Sequence, residues 1–179
     1  MKVTIINGSP RVGGNTEIMA REFARGAEEA GNQVELINLA GKKIGGCLGC
    51  KYCFSHDGIC VQKDDMADIL KVLDKTDLLV FASPVYWFDI TSQMKSVIDR
   101  MYARGMIGFH FKKTALLLDS GADHVYDAAL AQYKAMCSYL KWTSIGEICI
   151  PDMAEKGSMK EAEKLKEVYE LGKSITGEA

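Results

Sequence analysis

Apolar and polar positions recur along the chain in two periods that alternate from end to end. Residues 2–7 form a short apolar, β-branched run, which predicts a strand. After a Gly-rich turn, Ile18, Met19, Phe23 and Ala27 recur at helical spacing. They predict a helix over 16–30, stopped by Gly31-Asn32. Residues 33–39 predict a second strand, and an irregular Gly- and Cys-rich stretch fills 40–63. Asp64 or Asp65 then caps a helix with apolar positions at Met66, Ile69, Leu70 and Leu73. Residues 77–82 are almost continuously apolar, as in a strand buried on both faces of a parallel sheet. A loop over 83–89, a helix over 90–104 and a fourth strand over 113–119 follow, then a long helix over 124–140. A fifth strand over 144–150 and an amphipathic helix over 159–175 complete the series, with 176–179 expected to fray.

Regular alternation of strand and helix with right-handed crossovers implies an open parallel sheet covered on both faces. Five strands suggest the order 2-1-3-4-5. Ligands of such sheets bind beyond the carboxyl ends of the strands, where strands 1 and 3 diverge. The loops of interest are therefore those over 8–16, 83–89 and 119–124.

Length adds that 179 residues suit one domain spanning 1–179, able to fold without a disulfide or metal staple. A formal net charge of -2 excludes a broad basic field for nucleic acid or an anionic membrane, so an anion must be held locally. No apolar run approaches the ~20 residues of a membrane span, and the first residues read as a strand rather than a signal peptide. The expected location is the cytoplasm, where thiols stay reduced.

The first loop, Gly8-Ser9-Pro10-Arg11-Val12-Gly13-Gly14-Asn15-Thr16, has the makings of a phosphate cradle. Glycines let backbone N–H groups approach an anion, and the helix N-terminus adds donors and a positive dipole end. Ser9, Asn15, Thr16 and Arg11 add polar donors and a charge. Gly8 and Gly13 have the spacing of the P-loop glycines, but Gly14-Asn15 stands where Lys and Ser/Thr are required. Pro10 occupies the second glycine of the dinucleotide fingerprint. Without a catalytic Lys or nucleophile, the phosphate would be bound and not transferred, as in a cofactor. The same residues also suit an ordinary turn capped by Asn15 or Thr16. Further on, Tyr86, Trp87 and Phe88 follow Ser83-Pro84-Val85, and three consecutive loop aromatics call for a cover such as a flat ring, a neighbouring helix or a second subunit. Ser120-Gly121-Ala122 is a small-residue turn through which a ring could reach the backbone.

Taken together, Asn7-Gly8-Ser9-Pro10-Arg11, Gly14-Asn15-Thr16, Ser83-Pro84-Val85-Tyr86-Trp87-Phe88, Gln93-Met94-Lys95 and Ile98-Asp99-Arg100 resemble the NAD(P)H-dependent FMN reductases, a family of flavodoxin-like proteins. The resemblance implies a three-layer flavodoxin-like sandwich. It implies FMN, with its phosphate on Ser9, Arg11, Gly14, Asn15 and Thr16. The ring would lie against Pro84, Val85, Tyr86, Trp87 and Phe88 and near Ser120 and Gly121. It also implies NAD(P)H as hydride donor and a homodimer or homotetramer. Gln93, Lys95, Asp99 and Arg100 read as structural or interfacial. Flavin chemistry obliges no protein acid or base, and no catalytic side chain is singled out.

Six cysteines are many for a reduced cytoplasmic chain, and four of them, Cys47, Cys50, Cys53 and Cys60, share one Gly-flanked loop. Cys-x2-Cys-x2-Cys-x6-Cys is iron–sulfur spacing and resembles the motif of the iron–sulfur flavoprotein branch of the same family, which implies a 4Fe–4S cluster. Zinc, a redox disulfide and free thiols remain open alternatives. Cys137 and Cys149 read as core residues. Three functions follow for comparison with the structure. One is an FMN oxidoreductase fed by NAD(P)H with a small-molecule or protein acceptor. The second is an iron–sulfur flavoprotein relaying electrons from a ferredoxin-type protein, and the third is a non-catalytic metal- or FMN-binding module.

Overall fold

The computed structural model describes residues 1–176, so apart from Thr176 the fraying expected over 176–179 lies outside the described residues. The elements run β1 (Lys2–Asn7), α1 (Asn15–Glu29), β2 (Gln33–Asn38), α2 (Met66–Leu73), β3 (Leu78–Tyr86), β4 (Asp89–Ile90), α3 (Ser92–Gly105), β5 (Lys113–Asp119), α4 (Asp127–Leu140), β6 (Thr143–Ile150) and α5 (Leu165–Lys173). Five strands pair in parallel in the order β2-β1-β3-β5-β6, the flavodoxin-like order expected from the sequence. None of the described helices is long and apolar enough to cross a membrane.

Strand residues alternate between two cores because successive side chains leave opposite faces. Val3, Ile5, Val80 and Leu117 pack with Met19 and Phe23 of α1 and Val168 of α5. Ile6, Leu79, Phe81 and Leu118 pack with Met66 of α2, Val97 of α3 and Tyr133 of α4. On the first face α1 and α5 touch backbone to backbone. A β-carbon on Gly26 would lie 2.2 Å from the Tyr169 carbonyl oxygen, and one on Gly172 would lie 2.2 Å from that of Phe23.

Three elements depart from the sequence expectation. The loop over 83–89 is instead the end of β3 and a hairpin to β4, with Val85 paired to Ile90 and Tyr86 to Asp89. Its turn residues, Trp87 and Phe88, have φ of 50° and 70°. Such a two-residue turn ordinarily takes Asn-Gly, so no turn signal marked it. The helix over 124–140 starts at Asp127, because His124 is left-handed at φ 58°. The helix over 159–175 is a 3₁₀ turn, Ser158–Glu161, then an extended Ala162 and α5. The backbone N–H of Met159 is drawn 3.3 Å onto the side chain of Asn15 rather than into a continuous helix.

Gly172→Ala adds helix propensity but drives a methyl into the Phe23 carbonyl. Overpacking wins, and the variant is expected to lose about 1–3 kcal/mol in urea unfolding; equal or greater stability would show that α1 and α5 can separate freely.

Candidate functional site

The carboxyl ends of β1, β3 and β5 meet around a cavity of about 310 Å³. Gly8 continues the pairing of β1 with β3 through an N–H bond to the Ala82 carbonyl (2.8 Å). Of the residues singled out in the sequence, Ser9, Arg11, Gly14, Asn15, Thr16, Pro84, Val85, Tyr86, Ser120 and Gly121 line it. Trp87 and Phe88 do not. They form the hairpin tip, and Trp87 is 92% exposed. Asp119, at the start of the 119–124 loop but not among the expected cofactor contacts, completes the lining with Met153, Ala154 and Lys156. The last three lie outside the loops of interest, and 151–157 carries no motif. A larger groove of about 430 Å³ lies at the opposite end of β1 and β2 and holds none of these residues.

One end of the cavity is an open helix terminus. Gly14 stands at the N-cap of α1 and supplies no side chain to cap it. The N–H groups of Asn15, Thr16 and Glu17 therefore have no intrahelical acceptor. Glu17 reaches back to accept the Gly13 N–H at 2.7 Å, as in a capping box, and pairs with Arg21. Its carboxyl sits below the usual range, chiefly because of the Gly13 N–H. A β-carbon on Gly14 would come 3.1 Å from the Arg11 carbonyl, so this turn admits only glycine without displacement. The donor set — three backbone amides, the Ser9 hydroxyl and Arg11 — suits a phosphate.

Two of the expected donors are otherwise engaged. The Asn15 side-chain amide donates to the carbonyls of Met153 (2.9 Å) and Glu155 (2.7 Å) and to Ser158 Oγ (3.2 Å), and it accepts from Gly157. Thr16 Oγ1 donates to Asp119 Oδ1 at 2.6 Å. Both side chains brace the cavity wall, and what they can offer an anion is their backbone N–H. Ser9 Oγ accepts the Arg11 N–H at 3.2 Å, which leaves its hydroxyl proton free.

The cysteine loop contributes no residue to this cavity and is held by α3. Arg100 is buried and bonds the Gly45 carbonyl (2.8 Å) and both oxygens of Asp64 (2.7 and 3.0 Å), joining the loop's two ends. Burial opposes the Asp64 charge, but Arg100 and the Gly45 and Met66 N–H groups outweigh it and hold the carboxyl below its usual range. One turn on, Arg104 bonds the Gly58 carbonyl and pairs with Asp74. Arg100 is thus structural, as expected from the sequence. Cys47 and Cys50 are exposed, and Cys53 and Cys60 are half-buried. Among the described residues no three His, Cys, Asp or Glu side chains stand where they could share a metal ion. As placed, the four sulfurs do not form a cage for a cluster. His56 stacks on Tyr52 away from the cavity, with ring centroids 3.6 Å apart. Cys137 is buried, whereas Cys149 is only half-buried, its thiol pushed up to about 11 chiefly by burial.

Known proteins resemble this chain in sequence and in fold. Residues 1–154 match the family described as NADPH-dependent FMN reductase. An iron-sulfur flavoprotein of Archaeoglobus fulgidus is 41% identical over 105 residues, 59% of this chain and 47% of that protein. Another from the same organism is 32% identical over 137 residues, 75% of this chain and 69% of its own length. The chain spans about half the length of most such relatives. Among solved structures, an NAD(P)H:quinone oxidoreductase from Methanothermobacter marburgensis superposes with a TM-score of 0.75 at 18% identity, over 97% of this chain and 96% of that one. An FMN-dependent NADH-azoreductase from Bacillus anthracis in complex with FMN gives 0.67 at 19% identity, over 96% and 98%. Likeness at these identities shows the fold.

Asp119 generates a pH prediction. Burial raises its carboxyl to about 6, against the Thr16 hydrogen bond and the Arg11 charge, which lower it. Between about pH 4 and pH 6 the folded chain holds a proton that the unfolded chain has released, so stability falls as pH rises through that window. Asp119→Asn keeps the Thr16 bond without the buried charge. It is expected to flatten this decline and to gain about 1–3 kcal/mol over the parent at about pH 7.5 in urea unfolding. An equal pH slope in both proteins would contradict a buried, proton-holding Asp119.

Proposed function

The chain belongs to the NADPH-dependent FMN reductase family, and from that premise we propose that it is a flavin-dependent oxidoreductase that takes hydride from NAD(P)H and passes electrons to a small-molecule or protein acceptor. One observation carries the reading: ten of the twelve residues expected to hold FMN line a single cavity at the strand ends, beside an open helix N-terminus. The chemistry FMN supplies there is acceptance of a hydride and return of its electrons to an acceptor.

The chain's own part is to bind, orient and shield. Backbone amides at the start of α1, the Ser9 hydroxyl and Arg11 hold the phosphate and fix one end of the cofactor. Pro84, Val85 and Tyr86 offer a flat wall to the ring, continuous with β3 and so rigid. Gly121 lies against Ala154, to whose Cα a β-carbon there would make ordinary contact at 3.4 Å, and without a side chain it leaves its backbone open to a ring on the cavity side. Trp87 and Phe88 follow Tyr86 at the hairpin tip, in a backbone conformation that bulky residues rarely adopt. Strain of that kind concentrates at ligand clamps. The exposed Tyr102, Met106, Ile107 and Tyr139 suit contact between copies in a homo-oligomer.

A second reading adds a 4Fe–4S cluster on Cys47, Cys50, Cys53 and Cys60, with electrons supplied by a ferredoxin-type protein. The cysteine spacing and the names of the Archaeoglobus relatives favour it, and it requires the open loop to close around the metal while its ends stay on Arg100.

Protein reconstituted with FMN is expected to take up one flavin and to be bleached by NADPH or NADH without oxygen, then to recolour on addition of a quinone. Flavin that binds and is never reduced would overturn the oxidoreductase reading. Iron and sulfide assayed on anaerobically purified protein decide the second reading: about four irons per chain supports it, and flavin with no iron removes it.

A further inference from the structure

Asn15 contributes more to the segment after β6 than to its own helix. Its side chain is 6% exposed in the folded chain and engages 153–159 at five points: the three donated bonds to Met153, Glu155 and Ser158, and acceptance from the N–H groups of Gly157 (2.8 Å) and Met159 (3.3 Å). An amide with this many partners is fully committed. The partners stand on both sides of Lys156, so the backbone that carries this residue is fixed while its side chain is exposed. Lys156 reaches over the first loop. A β-carbon on Gly13 would lie 3.9 Å from its Nζ, and Lys156 lines the cavity alongside Ser9 and Arg11.

We propose that Lys156 is a second cation of the phosphate cradle and that Asn15 is the positioning residue that puts it there, so that the site selects a phosphorylated flavin over the unphosphorylated one. This rests on the reading that the cavity holds a flavin. Charge favours it. A phosphate monoester carries between one and two negative charges near neutral pH, more than Arg11 alone offsets. The nearby carboxylates feel these cations, Glu17 that of Lys156 and Asp119 that of Arg11, but neither is bonded to them: Glu17 accepts the Gly13 N–H and pairs with Arg21, and Asp119 is buried behind Thr16. A cation carried on a prefixed segment also loses less freedom on binding than one on a mobile loop. Riboflavin has no phosphate and would meet none of this.

The test measures dissociation constants for FMN and riboflavin by flavin fluorescence quenching. Lys156→Met, a change at an exposed side chain, is expected to weaken FMN about tenfold and leave riboflavin unchanged, while Lys156→Arg keeps FMN affinity. Unchanged FMN affinity in Lys156→Met overturns the proposal and leaves the flavin site standing. A parent protein that binds neither flavin overturns both. Asn15→Ala, checked for folding by circular dichroism, is expected to lose FMN affinity as well. The Asn15→Ala, Lys156→Met double variant should then be no weaker than Asn15→Ala alone, since an unfixed Lys156 has nothing left to lose. Fully additive losses would overturn the positioning role.

Discussion

The parallel pairing of β1 with β3, while β2 takes the other edge of β1, is the constraint on which the rest of the molecule depends. In that register Asn7 faces Ala82, and the chain leaves both strands at the same level. Gly8 then has to pass under α3. A β-carbon there would sit 2.8 Å from the Met94 β-carbon and 3.0 Å from Thr91 Oγ1. Thr91 ties the two loops by donating its hydroxyl to the Gly8 carbonyl (2.8 Å) and its backbone N–H to Ser83 Oγ (3.1 Å). The cavity between the loops is a consequence of strand order, as in other sheets whose order reverses at this point.

Around that fixed point the protein uses long-range polar ties where it lacks regular structure. Asn15 holds a segment some 140 positions away in sequence, and Thr16 holds the end of β5 through Asp119. Arg100 holds both ends of the cysteine loop. Each tie satisfies buried polar groups that would otherwise cost more than the bond itself contributes. Among the described residues, the buried side-chain atoms left without a partner are Arg100 Nε and Tyr126 Oη. The cysteine loop differs from the strand-end cavity in this respect: its ends are fastened, but among the described residues no three of its side chains are placed to share a metal.

Much of the fold was legible because burial imposes its period on the chain. β1 and β5 coincide with the runs read from sequence, and α1, α2 and β6 differ by a residue or two at their ends. The Gly-rich turn was legible as a loop at the strand ends, and it lines the cavity there beside an uncapped helix start. What escaped was non-local. Nothing near Asn15 announces that its amide faces inward to 153–159 rather than outward to an anion. Nothing near Lys156 announces that it returns to the first loop. Asp119 opens a loop of interest, but nothing near it in sequence announces that Thr16 and Arg11 stand beside its carboxyl. The hairpin at Trp87-Phe88 was missed because bulky aromatics occupy backbone positions that glycine and asparagine usually fill.

The central claim is that a flavin phosphate rests on the open end of α1 with the ring against the end of β3. A crystal structure grown with FMN tests it most directly. The phosphate should lie within hydrogen-bonding distance of the Asn15 and Thr16 backbone N–H groups and the Ser9 hydroxyl, with the ring beside Pro84–Tyr86 and Ser120-Gly121. A flavin seated elsewhere, or an empty cradle in crystals saturated with FMN, would contradict it.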